Sequence, residues 1–145
     1  ARGVLEEYCR RVANEPPRLI GVRAAEVETN QLAVSEAGAQ IDSAIALLRR
    51  NAVELNRLAR DGVPFTLERK ARYKRDLSYA AQLCMRAVDA IHYISGAHAL
   101  FEKNPLQRAF RDVHAVNAQI GLRWNIGALS YGRAVLGLEP NDPFL

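Results

Sequence analysis

The chain has 145 residues, of which 49% are hydrophobic, and a formal net charge of +4 at pH 7. This length and composition predict a single domain, residues 1–145, with a buried core. The first residues carry too much charge for a signal peptide, and no apolar run reaches the ~20 residues that cross a bilayer. We therefore expect no membrane partner.

The two cysteines do not indicate a disulfide or a metal site. Cys9 and Cys84 are far apart in the sequence, and Cys84 falls on an apolar helical stripe. Unpaired cysteines fit a reducing cytoplasm, where we expect the protein. The chain also begins without an initiator methionine and enters a helical pattern at once. This start favours a fragment of a larger protein.

The positive net charge permits nucleic-acid binding, but the pattern of charges argues against it. The densest basic run comprises Arg69, Lys70, Arg72, Lys74 and Arg75. Glu68 and Asp76 dilute this charge on either side, few aromatic residues lie within the run, and it contains no recognisable nucleic-acid motif. A solvated helix face, or a surface that meets an anionic cofactor or another subunit, is favoured instead.

Apolar periodicity predicts helices along the first two thirds of the chain. A first helix runs from about Val4 to Ala13 and is ended by the run Asn14 to Pro17. The second helix closes at Asp61 and Gly62, and Thr66 caps the third. Both carry heptad-like seams of alternating four- and three-residue spacing. The predicted seams are Ile41, Ile45, Leu48, Ala52, Leu55 and Ala59, then Leu77, Ala81, Cys84, Val88, Ile91, Ser95 and His98.

A fourth helix is predicted from Asn104 to about Leu136. Asn104 is a typical N-cap, Pro105 suits the first helical position, and Gly137 is typical of a helix end. Its predicted core positions are Leu106, Phe110, Val113, Ile120 and Trp124.

The helix lengths and connections predict the architecture. Three helices of about 30 residues would each be ~45 Å long, and short connections near Gly62 and Lys103 force antiparallel neighbours. The predicted fold is therefore all-α, an antiparallel up-down four-helix bundle. Small residues on several helix faces and the apolar area left by three long helices predict self-association.

Several short motifs in the second half of the chain occur together. They are Gly96 to Leu100, Asn104 to Gln107, Phe110-Arg111-Asp112 with His114, Asn117, Trp124-Asn125, Gly132-Arg133 and Leu136 to Pro140. This set resembles the C-terminal helical domain of the acyl-CoA dehydrogenase superfamily. Within that superfamily, it is most similar to the branch of reduced-flavin-dependent monooxygenases and hydroxylases. The last forty or so residues carry the specific part of the resemblance.

The resemblance implies which residues contact the cofactor. Ser95, Gly96 and Ala97 match a helix end whose backbone contacts flavin in the family, although His92 and Ser95 stand where the family pattern has a glutamine and its first glycine. Arg111 and Asp112 match a step near the flavin and the subunit interface, where Arg111 would orient a phosphate or a partner and Asp112 would hold it. From the residues alone, an exposed surface pair worth a few tenths of a kcal/mol remains open.

His114 and Gln119 are the candidates for a catalytic role. His114 lies three residues after Arg111 on the same helix face, although a lone helical histidine is more often structural. Gln119 occupies the place that the monooxygenase branch gives to a histidine, eight positions after Arg111. An amide forms hydrogen bonds but exchanges no proton at neutral pH, so the catalytic residue stays unassigned.

The resemblance implies a function for the whole protein. The chain would be the oligomerisation and flavin-site domain of a flavin-dependent monooxygenase or hydroxylase that acts on a small aromatic substrate. It would use FMN or FAD reduced by a separate reductase, without a metal or nucleic acid, and would assemble as a homotetramer. One alternative is a domain of an acyl-CoA dehydrogenase-like oxidoreductase. The other is a helical interaction module without catalytic function.

Overall fold

The computed structural model describes residues 1–16, 21–143 and 145. Its α-helices are α1 (Arg2–Asn14), α2 (Glu28–Arg60), α3 (Leu67–Ile94), α4 (Pro105–Ala118) and α5 (Trp124–Val135). Short 3-10 helices lie at Ala24–Glu26, Ala97–Leu100 and Ile120–Leu122. These ranges contain no strand, so the all-α prediction is confirmed for them. None of their helices is long and apolar enough to span a membrane.

The predicted caps start and end the helices as expected. Thr66 Oγ1 accepts a hydrogen bond from the backbone N–H of the third residue after it, at 3.3 Å, and Asn104 Oδ1 accepts one from the second residue after it, at 3.0 Å. Gly62 and Gly137 have φ of 64° and 75°, which the absence of a Cβ allows, and they follow α2 and α5. α1 ends at Asn14 as predicted, while Pro17 lies outside the described residues.

The chain divides into two compact units. The first comprises Ala1–Asp42 and Cys84–His114, and the second comprises Ser43–Leu83 and Ala115–Leu145. Both long helices, α2 and α3, therefore contribute one half to each unit.

In the first unit, neighbouring helices run antiparallel. Arg2 of α1 donates a hydrogen bond to Asp42 of α2 at 2.6 Å, and a Cβ built on Gly38 would contact the Leu5 side chain at 3.9 Å. Residue numbers thus rise along α1 while they fall along α2. The buried apolar side chains of this unit are Val4, Tyr8, Val12, Ala37, Ile41, Ala87, Val88, Ile91, Ala99 and Leu106.

In the second unit, polar contacts fix an antiparallel pair. Arg72 of α3 donates to Glu54 of α2, and Arg50 of α2 donates to Asp76 of α3 at 2.6 Å. Asp76 is only 1% exposed, and it also accepts a hydrogen bond from Asn51 at 3.0 Å. Because a buried carboxylate without partners would be costly, this network fixes the register of the two helices.

The basic run on α3 is mostly neutralised within the second unit. Arg69 and Arg72 pair with Glu54, Arg75 pairs with the adjacent Asp76, and Lys74 pairs with Asp142 of the C-terminal segment. These guanidinium and ammonium groups therefore already hold carboxylate partners. That use agrees with the sequence-based expectation that the run is no nucleic-acid surface.

The prediction of one continuous helix from Asn104 to Leu136 is wrong. α4 ends at Ala118, Gln119 and Arg123 have extended backbone, with ψ of 130° and 123°, and a 3-10 turn lies between them. Gly121 within that turn disfavours helix by about 1 kcal/mol relative to alanine. The Arg123 side chain also donates to the Ala118 carbonyl at 3.1 Å, which satisfies an acceptor at the end of α4.

The predicted seam of α2 has the right spacing but mostly the wrong stripe. Ile41 is buried, whereas Leu48 is 40% exposed and Ala52 and Ala59 are exposed. The residues that α2 buries are Ala37, Ile41, Ala44, Asn51 and Leu58. These residues are separated by four, three, seven and seven positions, which also fits a heptad, so periodicity alone does not distinguish the two stripes.

Three further core assignments are wrong. Leu77 on α3 is 44% exposed, and Ile120 and Trp124 are 54% and 38% exposed. The prediction that His98 lies on the seam of α3 is also wrong. α3 ends at Ile94, and His98 is exposed in the 3-10 helix that follows.

Candidate functional site

The segment Ser95–Ala97 forms the turn after α3. Ser95 is buried, and its hydroxyl donates to the Ile91 carbonyl at 2.7 Å, so the side chain already satisfies a helix-end acceptor. Gly96 is exposed with φ of 71°, and nothing lies within 4 Å of a Cβ built there. Ala97 is exposed and starts the 3-10 helix. The turn therefore presents open backbone, not the Ser95 hydroxyl, to a ligand.

Arg111 and Asp112 lie exposed on α4, but they do not pair with each other. The Asp112 carboxylate lies 3.5 Å from Arg108 Nε, one helical turn earlier, and both side chains are mostly exposed. In the single chain Asp112 therefore pairs with Arg108, and its role beside Arg111 at the flavin site stays a prediction. The i,i+4 spacing places Asp112 on the Arg108 side of the helix. The guanidinium of Arg111 forms no hydrogen bond or ion pair with any residue that the structure describes.

His114 is held by contacts with α3 and with its own helix. Its Nδ1 lies 2.8 Å from the Phe110 carbonyl, and its Nε2 lies 3.5 Å from Asp89 Oδ1. Phe110 contacts two imidazoles, since its ring centroid is 4.3 Å from those of both His114 and His92. The structure thus gathers Asp89, His92, Phe110 and His114 in the first unit, and we call these four residues the histidine cluster.

The histidine cluster contains a carboxyl group with a shifted pKa and two buried polar atoms. Partial burial raises the pKa of the Asp89 carboxyl, although the side chain is still 41% exposed, and the positive charges of His114 and His92 oppose this effect. Asp89 Oδ1 and His92 Nε2 are both buried, and neither has a hydrogen-bond partner among the described residues. The cluster therefore contains polar atoms whose hydrogen-bonding capacity is incompletely used.

Gln119 belongs to the second unit, where the chain leaves α4. Its backbone is extended and it is exposed. A Cβ built on Gly121 would lie 3.6 Å from Gln119 Oε1, so the amide folds over the 3-10 turn. Gln119 therefore lies in the connection between two helices, where the sequence predicts a helix interior.

Each unit also contains a cleft that lies apart from these residues. A cleft of about 320 Å³ in the first unit is lined by Glu7, Tyr8, Arg11, His98, Phe101, Lys103, Asn104, Pro105 and Leu106. A cleft of about 390 Å³ in the second unit is lined by Ser43, Leu47, Arg75, Asp76, Tyr79, Leu83 and Trp124. Neither cleft is lined by Arg111, His114 or Gln119. No hydrogen bond or ion pair among the described residues joins Ser95–Ala97 to Arg111 and Asp112.

Sequence reasoning missed two members of the histidine cluster. Asp89 and His92 lie three residues apart, which places both on one face of α3. This spacing alone does not indicate a site. It does so only when Phe110 and His114 are known to lie on the helix that pairs with α3. The described residues contain no group of three or more side chains suited to a metal ion.

The chain matches one family along most of its length. The family model for the acyl-CoA dehydrogenase C-terminal domain matches residues 1–124. The oxygenase component of the FADH(2)-dependent resorcinol hydroxylase of Rhizobium sp. (strain MTP-10005) is 32% identical over 152 residues, covering 99% of this chain and 37% of that protein. The flavin-dependent monooxygenase oxygenase subunit HsaA of Mycobacterium tuberculosis is 29% identical over 84% of this chain and 31% of its own length. The chain thus spans about a third of the length of these relatives.

Solved structures share the fold. The 3-HSA hydroxylase from Rhodococcus sp. RHA1 superposes with a TM-score of 0.84 at 27% identity, over 98% of this chain and 36% of that one. XiaF from Streptomyces sp., solved in complex with FADH2 and glycerol, superposes with a TM-score of 0.90 over the same shares. Its 24% identity supports a likeness of fold alone. Because the family model covers most of the chain and the resorcinol hydroxylase component matches almost all of it, this chain belongs to the acyl-CoA dehydrogenase C-terminal domain family.

Proposed function

We propose that this chain is the C-terminal helical domain of the oxygenase component of a reduced-flavin-dependent hydroxylase that acts on a small aromatic substrate. The observation that carries the proposal is the 32% identity to the resorcinol hydroxylase oxygenase component over 99% of the chain. The whole enzyme would lie in the cytoplasm and take FMN or FAD reduced by a separate reductase. Residues 1–145 would form one domain of it.

The described residues fit an edge contact with flavin rather than a complete flavin pocket. The backbone at Gly96 is open, Ala97 beside it is exposed, and Arg111 is an exposed cation without an acidic partner among the described residues. Such groups suit the polar or phosphate parts of a flavin nucleotide. Bound flavin would supply the chemistry of oxygen activation, while Ser95 would support the turn and Arg111 would orient the anionic end.

The two candidates for a catalytic role differ in what their side chains do. His114 carries an imidazole, whose two nitrogens can donate and accept hydrogen bonds. Gln119 can orient a substrate through hydrogen bonds but cannot take up its proton. Asp112 would act on α4 only through Arg108, its ion-pair partner.

Exposed apolar side chains support self-association. Val53 on α2 is 70% exposed, and Leu129 and Leu136 at the end of the chain are 62% and 76% exposed. Leu48, on the α2 stripe that the single chain leaves open, adds to this surface. Large exposed apolar areas are typical of subunit interfaces, and we propose a homotetramer. Light scattering should give a mass above that of a monomer at tens of micromolar protein, and a strictly monomeric mass would contradict this assignment.

An acyl-CoA dehydrogenase-like activity is the second candidate, favoured by the description of the matching family. The test uses the full-length protein under anaerobic conditions. A reduced-flavin hydroxylase should bind reduced FMN or FAD more tightly than the oxidised form and should hydroxylate resorcinol-type phenols when a reductase is added. Tight retention of oxidised flavin, together with reduction of that flavin by acyl-CoA thioesters, would instead support the dehydrogenase. Absence of binding to either flavin form would favour a helical interaction module.

A further inference from the structure

The histidine cluster places ionisable groups of α3 and α4 against each other. The Nε2 atom of His114 lies 3.5 Å from Asp89 Oδ1, which is an ion-pair distance but longer than a good hydrogen bond. On the other side, Phe110 lies against the imidazoles of both His92 and His114. Phe110 of α4 thus holds the His92 side chain of α3 close to that of His114.

The Phe110 carbonyl determines which nitrogen of His114 carries hydrogen. A carbonyl oxygen can only accept a hydrogen bond, so Nδ1 at 2.8 Å must be the donor. In the neutral ring, Nε2 then carries no hydrogen, and its lone pair faces the Asp89 carboxylate. Two acceptors in contact repel each other, and one proton on either group makes the contact attractive. The geometry therefore favours one proton for the pair.

The burial of one carboxylate oxygen strengthens this preference. Asp89 Oδ1 is buried and has no hydrogen-bond partner among the described residues, although the Asp89 side chain as a whole is 41% exposed. A buried carboxylate oxygen without a partner is costly, and a proton shared with His114 lowers that cost. His114 from α4 and His92 from α3 are the charged side chains that act on Asp89, and both favour its ionised form.

We propose that Asp89 is a positioning residue for His114, and that the two side chains hold one proton between them as a coupled pair. Asp89 keeps Nε2 of the imidazole turned toward α3, while the Phe110 carbonyl keeps Nδ1 protonated. The use of this proton in hydroxylation rests on the proposed function, whereas the coupling itself is a property of the first unit. Because the two groups are coupled, a change at one must alter the protonation of the other.

Nuclear magnetic resonance of the full 145-residue chain tests the coupling without flavin. The ¹⁵N shifts of neutral His114 should show hydrogen on Nδ1. In His114→Gln, the titration of the Asp89 ¹³Cγ resonance should move to higher pH, because a positive charge that favours the carboxylate is lost. His92→Gln is the matched control and should move it less, since His114 has the larger effect. His114→Phe keeps an aromatic ring against Phe110 and provides a second variant if the glutamine variant does not fold.

Two results would overturn the coupling. One is an Asp89 titration that stays unchanged in both His114 variants, and the other is a neutral His114 ring with hydrogen on Nε2. The positioning role is tested separately in the full-length enzyme. Asp89→Asn should alter the pH profile of the fraction of oxygen that ends in hydroxylated product, without weakening flavin binding, and Asp89→Glu should restore it. An unaltered profile would overturn the positioning role, whereas an enzyme that hydroxylates nothing would refute the proposed function and leave the coupling intact.

Discussion

A Cβ built on Gly127 of α5 would lie 2.5 Å from Ser78 Oγ of α3, closer than real Cβ contacts occur. The same Cβ would lie 3.0 Å from the backbone carbonyl of Lys74. Gly127 and Ser78 are both buried. The absence of a side chain at Gly127 therefore lets α5 approach α3 within the second unit.

Replacement of Gly127 by alanine should lower the free energy of unfolding by about 1–3 kcal/mol, which is typical of overpacking. The loss should occur although alanine favours a helix interior by ~1 kcal/mol over glycine. Urea unfolding followed by circular dichroism measures it. Gly132→Ala, in the same helix with open space around its Cβ, is the matched control and should raise stability by about 0.5–1 kcal/mol. Equal effects of the two variants would show that Gly127 is not tightly packed.

Most helix starts and ends were predictable from the sequence, because they depend on local chemistry. Thr66, Asn104, Gly62 and Gly137 act through their own side chains or their own backbone freedom, so neighbouring helices matter little at these positions. The break after Ala118 was not predictable in the same way. Only one glycine disfavours the helix there, and apolar spacing continues across the break.

The sequence alone does not show which of the two stripes of α2 is buried, and the reason is physical. Both stripes fit a heptad spacing, and both carry aliphatic side chains, such as Leu58 on the buried stripe and Leu48 on the predicted one. Periodicity reports that a face is covered, but it does not report which chain covers it. The histidine cluster was missed for a related reason, since the sequence does not contain the register that brings Asp89 to His114.

Removal of the Asp76 carboxylate should destabilise the second unit strongly. Asp76 accepts hydrogen bonds from Arg50, Asn51 and Arg75, and its replacement by alanine leaves these donors without their acceptor. We expect Asp76→Ala to lower the free energy of unfolding by roughly 2–4 kcal/mol, measured by urea unfolding. Asp112→Ala removes an exposed i,i+4 pair and should cost at most about 0.5 kcal/mol. A loss for Asp76→Ala as small as that of the control would mean that the network contributes little.

Glu54 should make stability depend on pH in the acid range. The hydrogen bond from Arg72 holds the pKa of the Glu54 carboxyl below its usual value, and partial burial opposes this effect. A carboxyl whose pKa is lower in the folded chain stabilises the fold above its unfolded pKa, and it loses this contribution as the pH falls through the folded pKa. Glu54→Gln should therefore be less stable than the parent chain at neutral pH, and the difference should close in acid.

Thermal unfolding at pH values between neutral and ~3 measures how the stability difference between Glu54→Gln and the parent chain decreases in acid. Glu102→Gln, in the exposed loop before α4, is the control and should match the parent chain within about 0.5 kcal/mol throughout. A difference between the parent chain and Glu54→Gln that stays constant with pH would mean that the glutamate acts by packing and not by its charge.

Arg111 offers the sharpest test of the flavin contact, because α4 provides its own control. In the full-length enzyme, Arg111→Ala should weaken binding of reduced flavin more than tenfold, or about 1.4 kcal/mol, if its unpaired guanidinium meets an anionic group of the cofactor. Arg108→Ala removes the same charge three residues earlier, from a side chain that already pairs with Asp112, and should change affinity less than threefold, or about 0.6 kcal/mol. Anaerobic fluorescence titration with reduced FMN and FAD measures both variants. If the two arginine variants weaken binding equally, only the general positive charge of α4 matters, and the assignment of Arg111 to the flavin site is wrong.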